Sequence, residues 1–278
     1  MTSTITRLGG RLGSVAVGVI LVVLYALPLY VMLSLSLKGI TDHSSLLSLP
    51  QPLTWDNYAD VFRDGSVARA LLNTAIITLG TVILQVVLGG MAAYPLARRR
   101  TRLNGWVQGA ILGVMMIPPL SILVGVYSMM VSLHATSTYW GIIVVSVAFG
   151  LPLPIYMFSN FIVTIPRSLD EAAELDGCGP LRTFFLIIVP QLKPVIVSVV
   201  ILNGVGVWNE YGYALYLLQK PDMYTVTLQI SQYFSASAAS DLNGAAAAAV
   251  VAILPVLVAY LLLQRFFIKG ALDGATKG

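Results

Sequence analysis

Six stretches of this chain stay apolar for longer than a water-soluble fold can use. They run over residues 14–37, 70–97, 106–132, 139–163, 194–218 and 245–268, and each has 24 to 28 residues. About 20 helical residues cross a hydrocarbon core of about 30 Å. Runs such as 17–29 are apolar on all sides, without the alternation of a membrane barrel strand. The first stretch follows Arg7 and Arg11, as a signal peptide would. It is too long for a signal h-region and lacks a small-residue cleavage site, so it is kept as a span. The composition points the same way: 57% of the 278 residues are hydrophobic and only 10% are charged, against about 25% charged in soluble domains. Such a chain cannot hydrate its own surface, which excludes an aqueous globular enzyme, a disordered tail and a fibrous repeat. The expected fold is an all-α membrane protein, one transmembrane domain over 1–278 with six transmembrane helices. The single cysteine, Cys178, excludes an internal disulfide and a multi-cysteine metal site.

The bases give orientation. Arg7, Arg11, Arg98, Arg99, Arg100, Arg102, Arg167, Arg182, Lys193, Arg265, Lys269 and Lys277 fall on one side of the predicted spans, 12 of the 16. Lys38, Arg63, Arg69 and Lys220 fall on the other. The positive-inside rule places both termini in the cytoplasm. The net charge of +4 is then a topology signal rather than a mark of nucleic-acid binding.

Prolines and glycines interrupt the spans, and Pro118–Pro119 predicts a kink in the third. Trp55, Tyr58 and Phe62 share one face of a short helix suited to the membrane interface, with anchoring as its expected role. In the second span Thr74, Thr78, Thr81 and Gln85 form a single-face stripe, which interhelical hydrogen bonding accounts for, with lining of a pathway as the alternative. In the fifth, Asn203, Gly206, Asn209, Glu210 and Tyr213 fall within one arc of about 120°. An ionisable group in a bilayer costs on the order of 2.5–3.5 kcal/mol on the insertion scale, so Glu210 needs a partner, water or a cavity. Asn203, Asn209, Glu210 and Tyr213 are therefore either lining of a translocation pathway or a structural network.

The segment 166–190 carries the most information. Asp170, Glu171, Glu174 and Asp176 crowd into seven positions. Ser168 and Glu171 have the spacing of a capping box, Gly177 suits a left-handed helix stop, and Pro180 suits the first turn of a second helix. The expectation is a helix–turn–helix projecting from the cytoplasmic face. Its pattern resembles the EAA loop of membrane subunits from ATP-binding cassette importers: E-A-A, three residues, Gly, nine residues, then I-x-L-P. Glu171, Ala172, Ala173, Gly177, Ile187, Val189 and Pro190 stand at those spacings. Val189 replaces the usual leucine, and Cys178 stands where alanine is common.

The resemblance extends over nearly the whole chain. MIPPLSILVGVY, LPLPIYMFSNF, WNEY and the tail FFIKGALDGATKG look like the shorter permease of carbohydrate (maltose-type) importers. It implies a permease subunit of an ATP-driven sugar importer in the bacterial plasma (inner) membrane. Glu171, Ala172, Ala173, Asp176, Gly177, Ile187 and Pro190 would couple to a cytoplasmic ATPase. Lys269 and Lys277 in the tail would reach between two ATPase subunits. Ser235, Ser237 and Asp241 would meet an extracytoplasmic sugar-binding protein. The partners implied are a second permease chain in a heterodimer, two ATPases, the binding protein and the lipid bilayer.

No enzyme activity is expected of this chain, which lacks a Gly-Lys-Ser/Thr phosphate loop and has only His43 and His134, both in predicted external loops. No cofactor or metal is expected in it, with ATP and Mg bound by the partner ATPases. Two alternatives stay open: a polyol or polyamine solute, and an ion-coupled secondary transporter. The second would call for an inverted repeat and intramembrane ion ligands, for which only Glu210 qualifies.

Overall fold

The computed structural model describes residues 2–234 and 241–275, with side chains described over 17–234 and 241–264. Among them the regular elements are helical: α1 (Thr2–Ser36), α2 (Asp56–Arg63), α3 (Ser66–Arg98), α4 (Arg102–Met115), α5 (Leu123–Ser132), α6 (Tyr139–Gly150), α7 (Pro152–Thr164), α8 (Ser168–Leu175), α9 (Pro180–Thr183), α10 (Val189–Gln191), α11 (Lys193–Trp208), α12 (Gly212–Leu217), α13 (Val226–Gln232) and α14 (Leu242–Ala275). A π-helical turn, Phe184–Ile188, joins α9 to α10.

Three helices are long and apolar enough to cross a membrane unaided, over Val17–Ser36, Ser66–Arg98 and Leu242–Gln264. Three further crossings exist if each of three bent helix pairs counts as one, which brings the total to the expected six. The bends revise two expectations. The third segment is not merely kinked: α4 and the Pro119–Ser132 stretch meet at 91°. Pro118 and Pro119 remove two successive N–H donors, and the chain uses the gap for a 3₁₀ turn, Pro119–Ile122. The fifth segment, expected as one span over 194–218, stops at Trp208 and restarts at Gly212. Upstream it bends by 78° where the Pro180–Gln191 helices meet α11. The milder bend of 46° between α6 and α7 falls at Leu151, before Pro152.

The chain divides into two compact units. In the first, Met1–Val67 with Ile230–Ile253, the end of α1 is followed by a loop wrapped around Lys38, which is only 2% exposed. Its Nζ donates to Ser44 Oγ at 2.8 Å, Ser45 O at 2.6 Å and Ser48 Oγ at 3.1 Å. A buried ammonium is tolerable when each of its three N–H groups finds an oxygen, as here. Asn57 Nδ2 ties α2 to this loop through Ser36 O and Lys38 O. α2 buries Asn57 and Val61, leaving Trp55 and Phe62 exposed. On the loop surface, Asp42 accepts from the Ser44 and Gln51 N–H groups. The Ser44 side chain and these two N–H groups hold its pKa down to about 2.

The second unit, Ala68–Gln229 with Leu254–Gly278, contains two apolar cores. One centres on Phe158, Ile162, Ile188, Leu192 and Val199, and packs α3, α7, the π turn and α11. The other centres on Met130, Ile142, Leu217, Leu218 and Leu228, and packs α5, α6, α12 and α13. Among lipid tails such packing gains little from excluding water. Close fit and hydrogen bonds must hold the helices together.

Candidate functional site

Beside the second core lies a cavity of about 360 Å³, bounded by α3, the Pro119 turn, α6, α11 and the start of α12. Its wall is organised by a chain of neutral amides. Gln85 of α3 and Asn203 of α11 are buried, and Asn203 Nδ2 donates to Gln85 Oε1 at 2.7 Å. Gln85 Nε2 donates in turn to Ser146 O at 2.9 Å, and Asn203 Nδ2 also reaches Gly150 O at 3.3 Å. A Cβ added at Gly150 would overlap the Gln85 amide, so glycine is what lets the amide close against α6. The Ser146 and Gly150 carbonyls near the α6–α7 bend therefore each gain a side-chain partner, which suits irregular backbone at membrane depth.

The break in the fifth segment is also secured. Glu210 Oε1 accepts from Tyr213 N at 2.7 Å and Oε2 from Ala214 N at 2.9 Å, so its carboxylate caps α12. Tyr213 Oη donates to Pro119 O at 2.5 Å, and its ring stacks on Phe149 with centroids 5.1 Å apart. Thr227 Oγ1 bonds Glu210 O at 3.0 Å. Asn203, Glu210 and Tyr213 thus line one cavity. Asn209 does not: it is exposed, and its amide folds back to Val205 O at 2.9 Å. Trp208 faces a separate apolar cavity of about 260 Å³ with Thr78, Pro255 and Tyr260. Of the α3 stripe, Thr74 Oγ1 accepts from Val226 N at 2.8 Å and Gln85 joins the amide chain. The Thr78 and Thr81 hydroxyls are buried without a hydrogen-bond partner among the described residues.

The segment 166–190 forms two short helices around a tight stop. Gly177 has φ +77°, its N–H donates to Glu174 O, and the Cys178 N–H donates to Ala173 O. Together these make a Schellman closure. Pro180 opens α9, as expected. The capping box does not form. Arg167 already has helical dihedrals and takes the cap position, so Ser168 lies inside α8 and no side chain caps it. Glu171, Ala172, Asp176, Gly177 and Pro190 are exposed, Ile187 is half-buried and Ala173 is buried. Leu175, at the apex, is 89% exposed. The carboxylates of Glu171 and Glu174 have no hydrogen bond or ion pair among the described residues.

Asp170, by contrast, is engaged; the sequence marked it only as one of four clustered acids, and its partner Arg98 only as one of twelve bases on one side. Arg98 Nη2 lies 2.7 Å from Asp170 Oδ2, and Tyr94 Oη donates to Asp170 Oδ1 at 2.6 Å. Arg98 is one of four arginines within five positions, and nothing in the sequence distinguishes it from Arg99, Arg100 or Arg102. Of the other expected contact residues, Asp241 caps the start of α14 by accepting from Gly244 N at 2.8 Å. Ser235, Ser237, Lys277 and the Lys269 side chain lie outside the described residues. No three His, Cys, Asp or Glu side chains come together in a metal-binding group among the described residues.

Long apolar helices, some bent at prolines and joined by buried amides, are the architecture of a multi-pass membrane protein. The chain belongs to the family described as binding-protein-dependent transport system inner membrane component, whose pattern it matches over residues 85–272. It is 38% identical over 253 residues to the melibiose/raffinose/stachyose import permease protein MelC of Bacillus subtilis, covering 91% of each chain. It is 35% identical to the trehalose transport system permease protein SugB of Mycobacterium tuberculosis, covering 93% of this chain and 95% of that one. The multiple sugar-binding transport system permease protein MsmG of Streptococcus mutans is 32% identical, with 92% and 93% covered. Among solved structures, a bacterial ABC transporter involved in the import of the acidic polysaccharide alginate has a chain that superposes with TM-score 0.81 at 22% identity. That match covers 94% of this chain and 97% of the other, and establishes a shared fold.

Proposed function

We propose that this chain is one permease subunit of an ATP-driven sugar importer of the bacterial inner membrane. The observation that carries the reading is identity of 32–38% over some nine-tenths of its length to permeases named for sugar import. The cavity chemistry supports it. Its polar wall is made of neutral amides, a phenol and backbone carbonyls, and its one carboxylate is spent on capping α12. Such a surface pairs with hydroxyl groups and offers no bare charge to an ion.

In this reading both termini and the 166–190 segment face the cytoplasm, where most of the bases lie. A second permease chain completes the pathway, and Asn203, Glu210 and Tyr213 form part of this chain's half of it. Glu171, Ala172, Asp176 and Gly177 meet one of two ATPase subunits, which hold ATP and Mg and carry out hydrolysis, while this chain performs no chemistry. The unpartnered carboxylate of Glu171 suits a basic residue across that interface, where a desolvated pair is worth more than the about 0–1 kcal/mol of a surface pair. Ala172 beside it leaves room for close approach. Ile187 and Pro190 support the second helix of the docking unit. An extracytoplasmic binding protein delivers sugar near Ser235, Ser237 and Asp241, and the tail with Lys269 and Lys277 reaches the ATPases.

The test is purification of the complex through a tag on this chain, followed by reconstitution in liposomes with the binding protein. ATPase stimulation and uptake of labelled sugars across a panel are then measured. Glu171→Lys is expected to abolish stimulated uptake. Wild-type uptake by the variant, or a tagged chain that brings down no ATPase, would sink the reading.

A further inference from the structure

The carboxylate of Asp170 is gripped by a single helix at two points. Tyr94 and Arg98 stand one turn apart on α3. The phenol donates to Oδ1 at 2.6 Å, and the guanidinium Nη2 lies 2.7 Å from Oδ2 as an ion pair that lacks hydrogen-bond alignment. The same guanidinium uses Nη1 to bond Ile162 O at 3.1 Å and Ile165 O at 2.9 Å at the C-terminal end of α7, where Ile162 O also accepts from the Ile165 N–H. Arg167, just before α8, donates back to Arg98 O at 3.1 Å. Side-chain exposures of 11% for Arg98 and 20% for Asp170 keep water largely away from the pair.

Besides this link, α8 packs against α9 and the π turn that follow it. Ala173 is its one buried residue. Beside the ion pair, a cavity of about 560 Å³ opens between the end of α3 and the α8–α9 turn, lined in part by Pro95, Arg99, Glu174 and Cys178. The link between α8 and α3 is therefore polar and localised, rather than an extended apolar contact.

We infer that Tyr94, Arg98 and Asp170 form a clamp that makes α8 move with α3, so that displacement of the docking segment is delivered to the helix carrying Gln85. The inference rests on the reading of 166–190 as the ATPase-docking segment. Within α8 the roles divide by direction: Glu171 faces out toward the partner, and Asp170 faces in toward α3. Tyr94, Arg98 and Asp170 are positioning residues, acting on the pathway through α3.

The test uses the purified, reconstituted complex and reads sugar imported per ATP hydrolysed, a ratio that a loss of folded protein does not change. Asp170→Asn is expected to keep its ATPase partner and its hydrolysis while lowering the ratio between about two- and thirtyfold, the span of coupling effects from residues linking two sites. Asp170→Glu, which retains the charge, recovers most of the ratio. Tyr94→Phe, which removes one hydroxyl, lowers it by a smaller factor and decides the matter if Asp170→Asn does not accumulate. An unchanged ratio in either variant overturns the clamp. So does an Asp170→Asn chain that inserts normally but brings down no ATPase, because Asp170 would then belong to docking itself. If Glu171→Lys uncouples the complex and Asp170→Asn does not, the clamp alone fails. If neither variant has any effect, the docking reading fails with it.

Discussion

Helix α3 carries two polar clusters of opposite character. At Gln85 it offers a neutral amide to Asn203 and to the backbone of α6, and at Arg98 it offers a cation to Asp170 and to the carbonyls ending α7. Their separation of 13 residues corresponds to about 20 Å along the axis. The difference follows from where each sits. Within the apolar stretch, an amide satisfies backbone left open by a bend without the desolvation cost of a charge. At the helix end, where side chains reach toward water, an ion pair is affordable and can bind carbonyls as well. The neutral cluster lets helices meet around a cavity, whereas the ionic one fastens a projecting element.

The comparison can be broken most easily at Arg98. Arg98→Ala leaves the Asp170 carboxylate half-buried without its cation, and removing one partner of a buried pair costs about 3–5 kcal/mol. The expected result is the largest loss of thermal stability of any single change on α3, read by fluorescence-detected chromatography in detergent. Equal loss from Gln85→Ala would show that the two clusters do not differ in kind.

Gly150→Ala comes next. Its methyl overlaps the Gln85 amide, and overpacking of this sort costs about 1–3 kcal/mol. Shortening the obstruction tests the cause, since Gly150→Ala with Gln85→Ala should be more stable than Gly150→Ala alone. Strictly additive losses would mean that the two residues do not meet.

Glu210→Ala removes the cap of α12 and should cost about 0.5–2 kcal/mol. Glu210→Gln, which keeps an accepting oxygen, should lose less and transport near the wild-type rate. A Glu210→Gln chain that is stable but fails to import sugar would show that the pathway needs the charge itself and not only the cap. Asn203→Ala removes two interhelical hydrogen bonds, to Gln85 and to Gly150 O, each expected to be worth about 0.6 kcal/mol in a membrane protein.

The smallest effect concerns a charge outside both clusters. Asp42 has its folded pKa depressed to about 2 from an ordinary 3.8. Its contribution to the 42–51 loop is therefore complete above about pH 4 and is lost as the pH falls toward 2. Pepsin cleavage of that loop should rise across this window and be flat with pH in Asp42→Asn.

The spans were legible because a helix facing lipid must be apolar on all sides, and no soluble element imitates that over 24 residues. The Schellman stop was legible because Gly177 followed by Pro180 leaves few other conformations. The bends were half visible. Pro118 and Pro119 marked a weak point, but their angle depends on what packs against it. No proline warned of the break after Trp208, which depends on Glu210 folding back onto the next helix. Pairings were the least legible. Gln85 and Asn203 each stood out as a polar residue among apolar ones, yet they lie 118 positions apart, and periodicity says nothing across that gap. Arg98 was hidden among its neighbours, because a count of bases treats them all alike. The capping box was a false lead because the chain was already helical at Arg167.

The closure after α8 has a practical side. Cys178 is half-buried, lines the cavity beside the Arg98–Asp170 pair, and is the only cysteine in the sequence. Its backbone is pinned to Ala173 by the turn itself, so a probe attached to its sulfur would report the local environment rather than chain wander. The native chain therefore comes with one spectroscopic reporter already installed beside the part of the molecule whose movement most needs to be watched.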